Sequence, residues 1–535
     1  MQNIFIEYIS LVLIILVMVM IANKLRLAYP IVLVVGGLLL SFVAKFSNVT
    51  IDPEFVFFIF LPPLLYEAAW QVSWKEFWKW RRVIFSFAFP IIALTATVVA
   101  FVAYGLIPGF TLALGFLLGG IVSPPDAISA TTIMRYVKVP KSLLAIAEGE
   151  SLLNDASSLI IFRFALAAII TGQFHFGEAP ISFIVVVTMG TATGLLVGIL
   201  FYAVHRWLIK NPSIEIVLTL VTPYCMYYSA EYFHYSGVLA VVVGGLFLSS
   251  KRQQMLTYKS RIQGVNVWQI LSFVLNGMIF LLIGLQLPSI VSQLGSIKLS
   301  QAIWYGVVIS IVLIVLRLLC TLGASVFTRI MSHFIKVADP NPGWRSPLVL
   351  GWAGMRGVVS LAAALSVPLY LSNGEDFPFR NLILFITFVV ILVTLVLQGL
   401  TLPWVIRKVN PEDKFTTIPK NKLEQIIQQK MLSSSIKFLE EKYGKEGKMI
   451  EPVSNLYSSL KIELDSFNKV FDELNSAIEN TEIDFKSIYL ELLQHQRDIL
   501  TELNRDAEYD EEVIRKYYSI IDLEEFKLRE RLAEG

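Results

Sequence analysis

The chain has 535 residues, of which 55% are hydrophobic and only 16% charged, with a mean hydropathy of +0.65. A soluble domain carries about 25% charged residues, so a water-soluble enzyme or a nucleic-acid binder is excluded for most of this sequence. The net charge of +2 hides an asymmetry: residues 411–535 hold 27 Asp and Glu against 18 Lys and Arg, a balance of −9 that leaves +11 for the part before them.

The apolar part reads as thirteen stretches, at 4–22, 28–46, 54–70, 83–104, 110–134, 142–170, 181–207, 214–232, 236–250, 267–287, 300–329, 347–370 and 379–407. Most are near or above the roughly 20 residues a helix needs to cross a hydrocarbon core. They are unbroken rather than alternating with period two, which excludes an outer-membrane barrel. The first has no positive leader or small-residue cleavage pattern and reads as a span, not a signal.

Along the chain, the third stretch carries Glu67 behind Pro62-Pro63, a residue read as structural near the cytoplasmic end. The fifth is interrupted at Ser123-Pro124-Pro125-Asp126, where two prolines remove backbone donors and turn the preceding residues away from helix. The sixth holds Glu148, Glu150, Ser151, Asn154 and Asp155 within EGESLLNDASS. The twelfth places Arg356 among Gly351, Gly354 and Gly357. The fifth and twelfth lie seven apart and so cross in opposite directions, as inverted repeats would, with spans 1–6 matching 8–13. Cys225 and Cys320 sit in apolar stretches and read as packing residues, while His175 and His234 fall in outward loops as solvated histidines. Arg163 and Arg317 are assigned no transport role.

Loops after odd-numbered stretches hold the basic residues, for example Lys75, Arg81 and Arg82, then Lys138 and Lys141; the even-numbered loops hold few. This predicts an amino terminus outside and an acidic tail in the cytoplasm. The tail, 409–535, reads as amphipathic helices at 423–443 and 453–478 with a break near Gly444, following a membrane domain at 1–408.

Ionisable residues inside a span are expensive and mark function. Helical spacing puts Ser151 and Asp155 on one stripe of the sixth span, able to share a cavity with Asp126. Two carboxylates in low dielectric cannot both stay charged without a cation or a proton, so the two would compete for one oxygen cage, and hard oxygen ligands suit an alkali cation. Freed carbonyls at Ser123 to Pro125 would complete that cage. Glu150 is expected to pair with Arg356, since either charge alone in lipid is costly. No nucleophile, metal cluster, cofactor motif or nucleotide loop points to an enzyme.

Three segments, FLPPLLYEAAW at 60–70, SPPDAIS through EGESLLNDA at 123–156, and GMRGVVSLAAALSVP at 354–368, resemble the monovalent cation:proton antiporter family of bacterial NhaP-type antiporters and animal sodium/proton exchangers. The resemblance implies an all-α membrane protein of thirteen spans with discontinuous helices, a homodimer in the cell membrane. It implies Na⁺ at Asp126 and Asp155, with Ser151, Ser123 and Pro125 as neighbours and Glu150 with Arg356 as the core ion pair. It makes Asn154-Asp155 the form that goes with electroneutral exchange, and it sets Pro125 where relatives often have Thr. The reading is a Na⁺/H⁺ antiporter that also accepts Li⁺ and serves pH homeostasis. A K⁺/H⁺ antiporter, a cation channel and an ion sensor signalling through the tail stay open as alternatives.

Overall fold

The computed structural model describes residues 2–25, 29–42, 53–137, 139–172, 179–208, 211–294, 297–371, 374–415, 420–444, 450–474, 490–500, 517 and 520–526. His175 and the 475–478 end of the second expected tail helix lie outside them. The chain divides into two compact units, Met1–Phe415 and Thr416–Gly535.

Among its described residues the regular structure of the first unit is helix, apart from one isolated bridge between Tyr370 and Asp376. It opens with α1 (Gln2–Leu25), α2 (Tyr29–Ser41), α3 (Pro53–Gln71) and α4 (Trp74–Ser86), which runs through a π turn at Phe87–Ile91 into α5 (Ile92–Leu106). The fifth apolar stretch is two half-helices, α6 (Leu112–Val122) and α7 (Ala127–Val137), and the sixth is the long α8 (Lys141–Thr171). Then come α9 (Ala179–Ala203), α10 (Pro212–Tyr232), α11 (Gly237–Met255), α12 (Tyr258–Ser292) and α13 (Leu299–Met331). The twelfth stretch is again split, into α14 (Arg345–Trp352) and α15 (Val358–Leu365), and the unit closes with α16 (Arg380–Val393), a π turn and α17 (Gly399–Val409). In their described residues, the thirteen apolar stretches therefore fall on helices or pairs of half-helices. Six described helices are long and apolar enough to cross a membrane: Trp74–Leu106, Lys141–Thr171, Ile184–Leu208, Tyr258–Ser292, Leu299–Met331 and Arg380–Val409.

A proline inside a helix leaves a carbonyl without its donor, and lipid offers no water to replace it. Pro63 cannot donate to the carbonyl of Ile59, four residues back, and the Tyr224 hydroxyl of α10 donates to that oxygen at 3.0 Å instead. Pro90 sits in the π turn, and Ser157 of α8 donates to the Ala88 carbonyl there. Small residues let helices meet backbone to backbone: Gly37 of α2 and Gly284 of α12 lie so close that a Cβ on either would strike the other helix's carbonyls.

In the second unit, α18 (Lys420–Tyr443) and α19 (Glu451–Leu474) pack together, with the Tyr457 hydroxyl donating to Glu440 at 2.7 Å. Gly444, at φ +91°, ends α18 in the left-handed conformation that a glycine adopts without strain.

Candidate ion-binding site

The two interruptions meet. The backbone N–H of Asp126, freed from helix by the prolines before it, donates to the carbonyl of Met355 in the other break at 2.7 Å. Gly357 fits because it has no side chain; a Cβ there would overlap the Asp126 carboxylate. Around this crossing the four half-helix ends sort by sign. Asp126 precedes α7 and lies against Gly357, the residue that opens α15, so its carboxylate sits at two helix amino termini, each worth about half a positive charge. Arg356 takes the opposite pole: its Nε donates to the carbonyl of Val122 at the end of α6 at 2.6 Å, and its Nη1 donates to the Gly354 carbonyl just beyond α14. Its backbone N–H donates to Thr394 Oγ1 at 3.1 Å.

A cavity of about 290 Å³ opens beside the crossing. Asp126, Ser151 and Asp155 all line it, with Pro124, Gly357 and Ser360 from the two breaks. Ser129 donates to Asp126 Oδ2 at 3.0 Å. Asp155 is 8% exposed, and among the described residues its carboxylate has neither hydrogen bond nor ion pair. A buried carboxylate without a protein partner needs a proton or a cation to stay there. The cavity runs toward Gln71, Arg135 and Glu148, the end of the helices that carries the basic loops. There Arg135 and Glu148 pair at 2.6 Å, and at the far end of α8 Arg163 pairs with Glu231 at 2.7 Å.

The match to the transmembrane sodium/hydrogen exchanger family covers residues 10–408. The chain belongs to that family. An uncharacterized Na⁺/H⁺ exchanger of Escherichia coli is 30% identical over 526 residues, covering 94% of this chain and 95% of its own. A sodium, potassium, lithium and rubidium/H⁺ antiporter of Bacillus pumilus is 32% identical over 432 residues; that match covers 79% of this chain and spans 63% of the relative's length. The fold is similar to that of the sodium proton antiporter from Methanocaldococcus jannaschii, at a TM-score of 0.56 and 20% identity over 78% of this chain and 99% of the other. It is thus a member of a membrane-embedded transporter family.

Not every expected neighbour faces the cavity. Ser123 is buried away from it, and the Pro125 carbonyl is taken by Asn154 Nδ2 at 3.2 Å, so Asn154 braces the break from outside. The expected Glu150–Arg356 pair is not formed. Glu150 is instead held by Arg317 of α13, at 2.5 and 2.6 Å through two oxygens, with the guanidinium also over the Phe87 ring. The reason is the crossing itself, which turns Arg356 Nε and Nη1 to carbonyls and leaves Glu150 to a cation that sequence spacing could not connect to it. Glu67, read as structural, lines the cavity and accepts from Gln71. Gln269, Ser272 and Asn276 of α12 line it too, and went unnoticed in the sequence. Their spacing of three and four is a polar stripe on an otherwise apolar helix, and that pattern was the available signal.

Proposed function

We propose that the exchanger is an electroneutral antiporter that moves one Na⁺, or Li⁺, against one H⁺ by alternating access, with cation and proton competing for Asp126 and Asp155. The observation that carries this is Asp155: a buried carboxylate lining the cavity, beside a second aspartate, with no protein partner among the described residues. When Na⁺ leaves, a proton must take its place and neutralise the carboxylate, because a bare charge is costly in low dielectric. Asn154 is neutral and occupied with the Pro125 carbonyl, so it adds no second exchangeable charge. Ser151 and the Pro124 region supply neutral oxygens that suit a hard cation, and Glu67 brings a third carboxylate to the cavity.

In this reading the cavity opens to the cytoplasm, the Arg163–Glu231 pair closes the outer end, the protein sits in the cell membrane as a homodimer, and exchange serves cytosolic pH. A second reading, broader selectivity that includes K⁺, is favoured by the range of cations named for the Bacillus relative.

The test is dissipation of a pH gradient in proteoliposomes on adding Na⁺, Li⁺ or K⁺, with and without a clamped membrane potential. A Na⁺ response indifferent to the clamp supports the proposal, a K⁺ response of equal size supports the broader reading, and a response that follows the clamp overturns electroneutrality.

A further inference from the structure

A second, larger cavity of about 560 Å³ lies apart from the ion site, at the basic ends of α4, α8, α13 and α14. Its wall is divided by chemistry. Lys79, Arg81, Arg82, Lys336 and Lys414 face Asp339 and Glu412, a surplus of three positive charges, and Glu412 is already bound to Arg345 at 2.6 Å. Ser and Thr hydroxyls such as Ser86, Ser325 and Thr328 add neutral polar groups, and most of the remaining wall is apolar, including Phe87, Ile146, Phe327, Met331 and Leu350.

Two further observations say what chemistry this fits. Phe327 and Ile335 line the cavity yet are exposed, and they continue onto exposed Ile330 and Phe334, so the mouth joins an apolar outer surface. Helix α4 carries exposed Trp74 and Trp78 beside Lys75, Lys79, Arg81 and Arg82, the pattern of a helix at the headgroup level of a bilayer. A cation-rich chamber at headgroup depth, open sideways to an apolar face, matches an amphiphile with an anionic head better than a solute arriving from water.

We propose that this cavity binds an anionic phospholipid of the leaflet on the basic side, its phosphate among Lys79, Arg82, Lys336 and Lys414 and its acyl chains along Phe327, Met331 and Leu350. One wall is the segment that leaves the membrane unit. Lys414 donates to the Asn341 carbonyl at 2.6 Å, and Phe415 meets the Trp80 ring edge-on at 5.1 Å, under Lys79. Lipid in the cavity therefore helps fasten the start of the tail to α4, which packs on the site helix α8 through Phe77 and Ile84 against Gly149.

The experiment is native mass spectrometry of the full-length protein extracted from vesicles holding equal parts phosphatidylcholine and phosphatidylglycerol. Wild type is expected to retain phosphatidylglycerol selectively. Replacing Lys79, Arg82, Lys336 and Lys414 by Gln removes that selectivity, with a loss of about fivefold for each cation neutralised. Arg82→Gln alone gives the single-step loss should the fourfold variant fail to fold. Ala324→Phe, which fills the chamber and leaves every charge in place, also loses the lipid. Equal retention of both lipids by wild type, unchanged retention in Ala324→Phe, or displacement of the lipid by inorganic phosphate alone overturns the proposal.

Discussion

Asp126 and Arg356 are placed by the same local chemistry acting with opposite sign. The Asp126 carboxylate sits where two half-helices begin, and the Arg356 guanidinium where two end. This separates residues that hold the crossing from those that titrate. Asp155→Asn keeps the shape of the side chain and removes its charge, so cation-dependent pH dissipation in proteoliposomes should vanish while the purified protein elutes and melts as wild type does. Normal exchange by that variant would falsify the site assignment. Arg317→Ala strands the Glu150 carboxylate in a buried position, a loss of about 3–5 kcal/mol that a lowered thermal midpoint in detergent would register. Glu150 with Arg317 both replaced by apolar residues of similar volume should recover much of that loss. Arg356→Ala, by contrast, strands the Val122 and Gly354 carbonyls and leaves the Glu150–Arg317 pair intact, so replacing Glu150 as well gives no recovery; recovery there would restore the pairing that the geometry rejects.

At the scale of elements, what matters is that the break at the tandem prolines of α3 has a partner on another helix. The tandem prolines of α3 were visible as a sequence feature, but nothing along the chain shows that Tyr224, more than 150 residues away, supplies the missing donor. Tyr224→Phe leaves the Ile59 carbonyl unpaired and is expected to cost about 0.5–1.5 kcal/mol, read as a modest drop in thermal midpoint with the ion specificity of exchange unchanged. Gly284→Val should cost more, since its side chain would drive α12 off the backbone of α2; about 1–3 kcal/mol is the usual range for such overpacking. A Gly284 variant as stable as wild type would mean that the two helices do not approach closely in the folded protein. The interruptions themselves were legible, because Pro-Pro and a glycine cluster around a charge carry their own backbone consequences.

For the whole molecule, the compact membrane unit runs on to Phe415, past the last helix at Val409. The reason lies in Glu412, Lys414 and Phe415, which tie residues 411–415 to Arg345, Asn341, Lys79 and Trp80. A chain ending at 415 is therefore expected to keep the thermal midpoint and exchange of the full protein. One ending at 408 should melt lower, by the loss of those contacts. Equal midpoints for the two truncations would show that the ties contribute nothing.

Composition and periodicity alone determined that this is an all-helical membrane protein with an acidic helical tail, because the cost of exposing polar backbone to lipid leaves a chain of this hydropathy no other structure. They also located both helix breaks and the aspartates beside them, since proline restricts its own residue and the one before it, and a carboxylate in an apolar span is rare enough to stand out. Which buried charge meets which was decided only by the tertiary structure. Arg317 and Arg356 both lie in apolar stretches, and only the crossing, which spends Arg356 on the carbonyls of Val122 and Gly354, assigns Glu150 to Arg317. The same holds for the polar stripe of α12 and for the basic cavity beneath α4, whose residues come from helices far apart in sequence and acquire a common chemistry only when packing brings them to one wall.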